Sequence, residues 1–260
     1  MSIAFKRKPG LVAYITCGDP NLEVSRDVAL AAIAAGAEVV ELGVPFSDPV
    51  ADGPVIQRAS ERALRQGTNL DSVLQVAREI REQSKAGLII FSYMNPILQF
   101  GLDRFCASVA AAGADGALVT DLPAEEAGDY LRAMKARRLA PVFLAAPTST
   151  DERLRSIVRH SRGFIYAVSR TGITGTRDTV ADDARTLVER LRALTHLPIA
   201  VGFGISTADQ FAEVGAFADA AVMGSAIVQT IENNPGREAE AVSEFLSAIM
   251  KSQQQMGASS

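Results

Sequence analysis

The chain holds only two histidines, two cysteines and five lysines in 260 residues, and each scarcity removes a class of chemistry. His160 falls at the end of a helical stretch and His196 just before an apolar run. Neither position suits a His-ligated metal or imidazole acid–base catalysis, so no metal is expected. Lys6, Lys8, Lys85, Lys135 and Lys251 all lie outside the apolar runs and the residues just after them, which argues against Schiff-base chemistry. Cys17 and Cys106 form no Cys-x-x-Cys pair and build no disulfide scaffold, a usage suited to a reducing compartment and a cytoplasmic protein. The net charge of -4 gives no general attraction for nucleic acid or an anionic membrane. The longest uncharged run, 86–102, falls short of the roughly 20 apolar residues of a membrane helix, and Asn95, Pro96 and Gln99 interrupt it. The basic N-terminus has no apolar core and does not read as a secretory signal. A Gly-x4-Gly-Lys-Ser/Thr phosphate loop is also missing.

What is present is an alternation. Short apolar runs recur at 11–17, 39–44, 88–93, 117–121, 141–146, 164–169, 198–203 and 220–224. Most are continuous, as expected of parallel strands covered on both faces. Amphipathic stretches separate them, among them 21–36, 151–160 and 181–194; in the first, Val24, Val28, Ala31, Ala32 and Ala35 form one stripe. Gly36, Gly113 and Gly215 each close a helical stretch before a strand, where positive φ is often needed. Eight strand–helix units predict an α/β fold, a single (β/α)8 TIM barrel over 1–260, with a doubly wound open sheet as the structural alternative. Residues 1–10 would form a short arm and 252–260 a disordered tail.

In such a barrel the active site lies at the C-terminal ends of the strands. The second strand ends in ELGVPFSDPVADGP, residues 41–54. Glu41 stands inside an apolar strand, on one face with Val39 and Gly43. Burial would raise its pKa and suit it to acid–base work near neutrality; the alternative is an ion pair with an arginine. Asp48 and Asp52 follow in a loop where either could form a turn beside Pro49 and Gly53 or take part in chemistry. Asp19 and Asp121 carry the same ambiguity, with the structural role favoured for Asp19, and Cys17 reads as a packing residue. Three glycine-bearing segments, 172–175, 202–206 and 224–228, follow the late strands, and Ser225 opens a short helix through Gln229. Backbone N–H groups and a helix N-terminus there would suit a phosphate.

ELGVPFSDPVADGP closely resembles the signature of the tryptophan synthase α subunit family. YITCGDP (14–20), DLPAEE (121–126), FIYAVSRTGITG (164–175), VGFGIS (201–206) and VMGSAIV (222–228) extend the resemblance in order along the chain. It implies a TIM-barrel lyase that cleaves indole-3-glycerol phosphate to indole and glyceraldehyde 3-phosphate, with no cofactor of its own. It further implies a pyridoxal-phosphate β subunit, expected in an α2β2 heterotetramer, that takes indole through a tunnel and joins it to serine. By motif position Glu41 matches the general acid–base, Asp52 the partner of the indole N–H, Tyr166 an active-site tyrosine and Thr174 a mobile-loop threonine. Gly175, Gly204, Gly224 and Ser225 match phosphate contacts, and Tyr14 stands in the indole pocket where the family usually has phenylalanine. Residues 171–183 would close over substrate. The loops 48–54 and 93–100, with Asp48, Pro49, Asn95 and Pro96, would face the partner, where Met94, Ile97 and Phe100 could instead pack locally. A stand-alone indole-glycerol-phosphate lyase, and a silent subunit that only activates a β partner, are the alternatives. The family often carries an N-terminal helix beneath the barrel, whereas only about ten residues precede the first strand here.

Overall fold

The computed structural model describes residues 3, 5–168, 177–202 and 204–257. Its strands are β1 (Gly10–Thr16), β2 (Ala37–Gly43), β3 (Gly87–Ser92), β4 (Gly116–Val119), β5 (Ala140–Val142), β6 (Leu144–Ala145), β7 (Ile165–Val168), β8 (Ile199–Gly202) and β9 (Ala220–Met223). All the pairings are parallel, in the order β5-β4-β3-β2-β1-β9-β8-β7-β6. Because β1 pairs with both β2 and β9, the sheet curls into the expected barrel, with helices around it. The one strand expected over 141–146 is two. β5 pairs back to β4, β6 pairs forward to β7, and Phe143 is the hand-over between them, its carbonyl accepting from the Tyr166 N–H.

Alternation sorts the side chains into two cores. Outward residues such as Leu11, Ala13, Val40, Leu42, Leu88 and Ile90 meet the helices. Inward residues Val12, Val39, Ile89, Leu118, Val142 and Phe164 fill the lower barrel. Residues of the short arm pack at the bottom: Ile3 joins this inner cluster, and the Phe5 ring meets Phe164 edge-on at 6.1 Å.

The helix ends follow local chemistry. Asn21 caps the helix Leu22–Ala34 by accepting from the Val24 N–H at 2.9 Å, and Thr150 caps Asp151–His160 in the same way. Gly36 and Gly113 have the expected positive φ, 116° and 74°. Gly215 does not: it is the last residue of the helix Ala208–Gly215. Its reason is space, since a Cβ there would stand 2.4 Å from Cδ of Pro9. The final helix, Glu238–Gly257, runs on into the tail that was expected to lie free from 252. The Ser252 hydroxyl bonds back to the Ala248 carbonyl, and Gln253 donates to the Lys8 carbonyl at 2.9 Å.

One ion-pair network ties the top of the barrel together. Asp19, only 2 % exposed, accepts two hydrogen bonds from Arg62 at 2.7 and 2.8 Å, which settles its role as structural. Arg62 also reaches Glu232 at 2.7 Å, and Arg58 binds Glu232 through two bonds. The loop after β1 is thereby fastened to the helices Pro54–Arg65 and Ser225–Asn233. The Arg58 hydrogen bond, aided by Arg62, holds the Glu232 carboxyl down at about 2. A depressed carboxylate stabilises fully above its ordinary value of 4.5, and that contribution fades as the pH falls toward 2. Replacing Arg62 by methionine leaves Asp19 buried and unpaired, with an expected loss of about 3 kcal/mol in urea unfolding at pH 7. Asp19→Asn in the Arg62→Met background should recover part of that loss.

Candidate active site

Tyr14 lies opposite Glu41 across β1 and β2, and Phe91 and Tyr166 pack against the inner core beside them. The Tyr14 ring meets Phe91 edge-on at 5.0 Å, and its hydroxyl lies 3.4 Å from that of Thr16. Tyr166 faces inward beside the same cluster as Phe164, as alternation predicts. Two glycines make this arrangement possible. A Cβ on Gly43 would stand 2.3 Å from the Tyr14 hydroxyl, and one on Gly202 would stand 2.6 Å from the Tyr166 hydroxyl. Burial is the main cause that pushes both tyrosines well above their ordinary value, and the nearby carboxyls add to it, so both hydroxyls keep their protons.

Glu41 is fully buried, and among the described residues neither of its carboxyl oxygens finds a hydrogen-bond partner. The arginine ion pair left open by the sequence is not made by any described residue. Burial alone pushes the carboxyl up to about 8, so it is protonated at neutral pH. Asp52 sits at the rim, half-buried, just before the helix Pro54–Arg65. Burial raises it to about 6, and a hydrogen bond from Tyr93 partly offsets that rise. The Tyr93 hydroxyl also accepts the Ala51 N–H at 3.0 Å, so one phenol holds the end of the loop at 48–54. At pH 7 the site therefore presents one neutral and one ionised carboxyl, the division that lets two like groups take opposite roles.

The late loops supply an anion-binding contrast. Thr207 and Gln210 form a capping box that satisfies the start of the helix Ala208–Gly215. The helix Ser225–Asn233 has no side-chain cap: Gly224 precedes it and leaves its first N–H groups facing the rim. This helix is longer than the sequence suggested. Gly224 also lies against Tyr14, where a Cβ would stand 3.4 Å from the tyrosine Cβ. Gly204 is exposed with φ +83°, and a Cβ there would meet nothing within 4 Å. Thr174 and Gly175 lie outside the described residues. Of the segment 171–183, the part from Arg177 onward belongs to the helix Arg177–Arg192.

The other predicted positions lie on the outer rim. Asp48 and Asn95 are exposed, while Pro49 and Pro96 are half-exposed. The Asp48 carbonyl and the Pro49 carbonyl accept from Val50 and Asp52, so this segment is a compact turn. Asp121 is structural, accepting from the Met94 N–H at 2.7 Å where the helix Met94–Phe100 begins. Ile97 of that helix is buried, and Met94 and Phe100 pack on the outer core. Val50, Leu64 and Leu98 are the large exposed apolar side chains among the described residues, and all three flank these two loops. A groove of about 420 Å3 runs beside the loop at 93–100, bordered by Phe46, Leu64, Asn95, Pro96 and Phe100.

Sequence reading passed over Tyr93 and Thr16 as site residues. Both continue the inward parity of their strands, Tyr93 after Ile89 and Phe91, Thr16 after Val12 and Tyr14, and that parity was a usable signal. The bonds that join Arg58, Arg62, Glu232 and Asp19 had none, since their partners lie up to 174 residues apart.

Comparisons with known proteins agree on one family. The model of the family described as tryptophan synthase alpha chain matches residues 2–257. The tryptophan synthase alpha chain of Solibacter usitatus is 52 % identical over 229 residues, covering 88 % of this chain and 86 % of that protein. That of Alkalilimnicola ehrlichii is 46 % identical over 254 residues, covering 94 % and 93 %. Among solved structures, tryptophan synthase subunit alpha from Legionella pneumophila superposes with a TM-score of 0.88 at 35 % identity, covering 96 % of this chain and 94 % of that one. Tryptophan synthase from M. tuberculosis gives 0.86 at 35 % identity, covering 94 % and 92 %. These matches over nearly the whole chain, together with the parallel barrel, show that the chain belongs to the tryptophan synthase alpha chain family.

Proposed function

We propose that this chain cleaves indole-3-glycerol phosphate to indole and glyceraldehyde 3-phosphate, and that the buried carboxyl of Glu41 drives the step. The cleavage needs a proton delivered to the ring carbon that bears the glycerol chain, and a proton taken from the adjacent side-chain hydroxyl. Glu41 enters protonated and delivers the first, and Asp52 as a carboxylate steadies the positive ring nitrogen that results. The Glu41 carboxylate then takes the hydroxyl proton, the carbon–carbon bond breaks, its electrons return to the indole ring, and Glu41 is again neutral. Tyr14, Phe91 and Tyr166 enclose the ring. Gly204, Gly224 and Ser225, with Gly175, hold the phosphate at the start of the helix Ser225–Asn233. Thr174 acts as the partner that steadies Asp52.

The same reading assigns this chain no cofactor and pairs it with a pyridoxal-phosphate β subunit in an α2β2 assembly. The loops carrying Asp48, Pro49, Asn95 and Pro96 form its contact, and the exposed apolar side chains Val50 and Leu98 within them support that placement because exposed apolar surface favours association. Two buried cysteines without a disulfide, and the lack of any helix long and apolar enough to cross a membrane among the described residues, support a cytoplasmic setting.

Indole release by the purified chain, with and without a tryptophan synthase β subunit, tests the reading. Slow turnover that rises with the partner is expected. Glu41→Gln should lower kcat by about 10^3-fold or more, and Asp52→Asn by about 10^2-fold, with the fold unchanged by circular dichroism. Partner-independent fast turnover would contradict the pairing, and full activity of Glu41→Gln would contradict the mechanism.

The two carboxyls also set the pH profile. Asp52 must lose its proton, so kcat/KM should rise through about 6. Glu41 must keep its proton, so kcat/KM should fall through about 8. A flat profile from 5 to 9 would rule out these assignments.

A further inference from the structure

Beneath the barrel, at the end opposite the carboxyls, a hollow of about 640 Å3 opens between the helices Gly128–Ala136 and Asp151–His160. Leu131, Leu139 and Pro141 give it an apolar floor, and Lys135, Arg138, Arg159 and Arg162 stand around it with His160. Among the described residues no carboxylate lines it, although the whole chain carries a net charge of -4. Among the described residues Lys135, Arg138 and Arg159 form no ion pair, and Arg162 is engaged only by the Arg159 and Ser161 carbonyls.

The simplest account of such cations is that they neutralise the helix C-termini that end here. Two helix ends carry about -0.5 charge each, or about -1 together. Four formal positive charges exceed that roughly fourfold, so most of this charge is unmatched. Two further local features stand beside this charge. Arg138 has φ 58°, the one non-glycine residue with positive φ among those described. It follows the end of the helix Gly128–Ala136, a place where glycine is free of the backbone cost of roughly 1 kcal/mol that arginine bears. In the turn between His160 and Arg162, Ser161 is wholly buried, and its hydroxyl has no hydrogen-bond partner among the described residues.

We propose that this hollow binds a small organic anion with an apolar body, of the class of aryl or alkyl sulfonates, carboxylates and phosphate esters. The apolar floor takes the body, and the ring of cations takes the charge. The volume is that of a small-molecule site, which commonly falls between about 300 and 1,000 Å3. A bare inorganic anion would leave the floor exposed and a neutral aromatic would leave the cations unmatched, so neither should bind comparably.

An amide NMR titration of the 15N-labelled chain with 1,5-naphthalenedisulfonate tests this, with sulfate and 2-naphthol as controls. Saturable shifts are expected at Leu131, Arg138, Leu139 and Arg162, with binding that weakens as salt is added. Arg138→Glu with Arg159→Glu should weaken that binding by about tenfold or more, as expected when attraction becomes repulsion, while leaving indole release unchanged. Lys135→Gln with Arg159→Gln gives a milder form of the same test should charge reversal disturb folding. Shifts confined to Gly204, Gly224 and Ser225 would place the probe in the active site instead and overturn the proposal. Equal binding of sulfate, or binding unaltered in both double variants, would overturn it as well.

Discussion

The carboxyl of Glu41 is buried in the middle of the barrel without a described partner, and burial of this kind costs several kcal/mol whenever the group is ionised. A fold tolerates such a residue only if the proton stays on it, and the protonated form is what the cleavage reaction needs first. The constraint is therefore both a stability defect and the source of the chemistry. Because the folded carboxyl is raised to about 8, Glu41 is harmless at low pH and increasingly destabilising as the pH climbs from its ordinary value through 8.

Much of the surrounding structure reads as accommodation of that one group. Tyr14 and Tyr166 keep their protons, and the glycines at 43 and 202 leave room for their hydroxyls. Asp52 is kept at the rim, where Tyr93 lowers its burden and lets it ionise near 6. The two carboxyls are thus pushed apart by depth rather than by cations. The arginines are used elsewhere: Arg58 and Arg62 join the loop after β1 to the two helices that flank the site.

The barrel was legible because alternation and run length are local signals, repeated eight times. Its deviations were not. The break at Phe143 comes from a strand that pairs with its neighbours in turn, and nothing in Pro141–Val142 and Leu144–Ala145 announces it. Gly215 was expected to supply a backbone angle and instead supplies space beside Pro9, a contact between distant parts of the chain. Within the site, Glu41 stood out as a charge in an apolar strand. Its role came from the long motif it belongs to, and its lack of a described partner only from the three-dimensional arrangement. The packing of Ile3 and Phe5 at the barrel floor was likewise hidden, because two apolar residues in a short basic arm carry no pattern.

Isotope-edited infrared spectroscopy of the free chain tests the central claim most directly. Difference spectra between the wild type and Glu41→Gln, with glutamate side chains 13C-labelled, isolate the Glu41 carboxyl. A protonated-acid carbonyl band at pH 7 that converts to carboxylate near 8 is the predicted result. A carboxylate band already present at pH 7 and unchanged down to pH 5 would show that Glu41 is ionised and paired, and the account built on its isolation would fail.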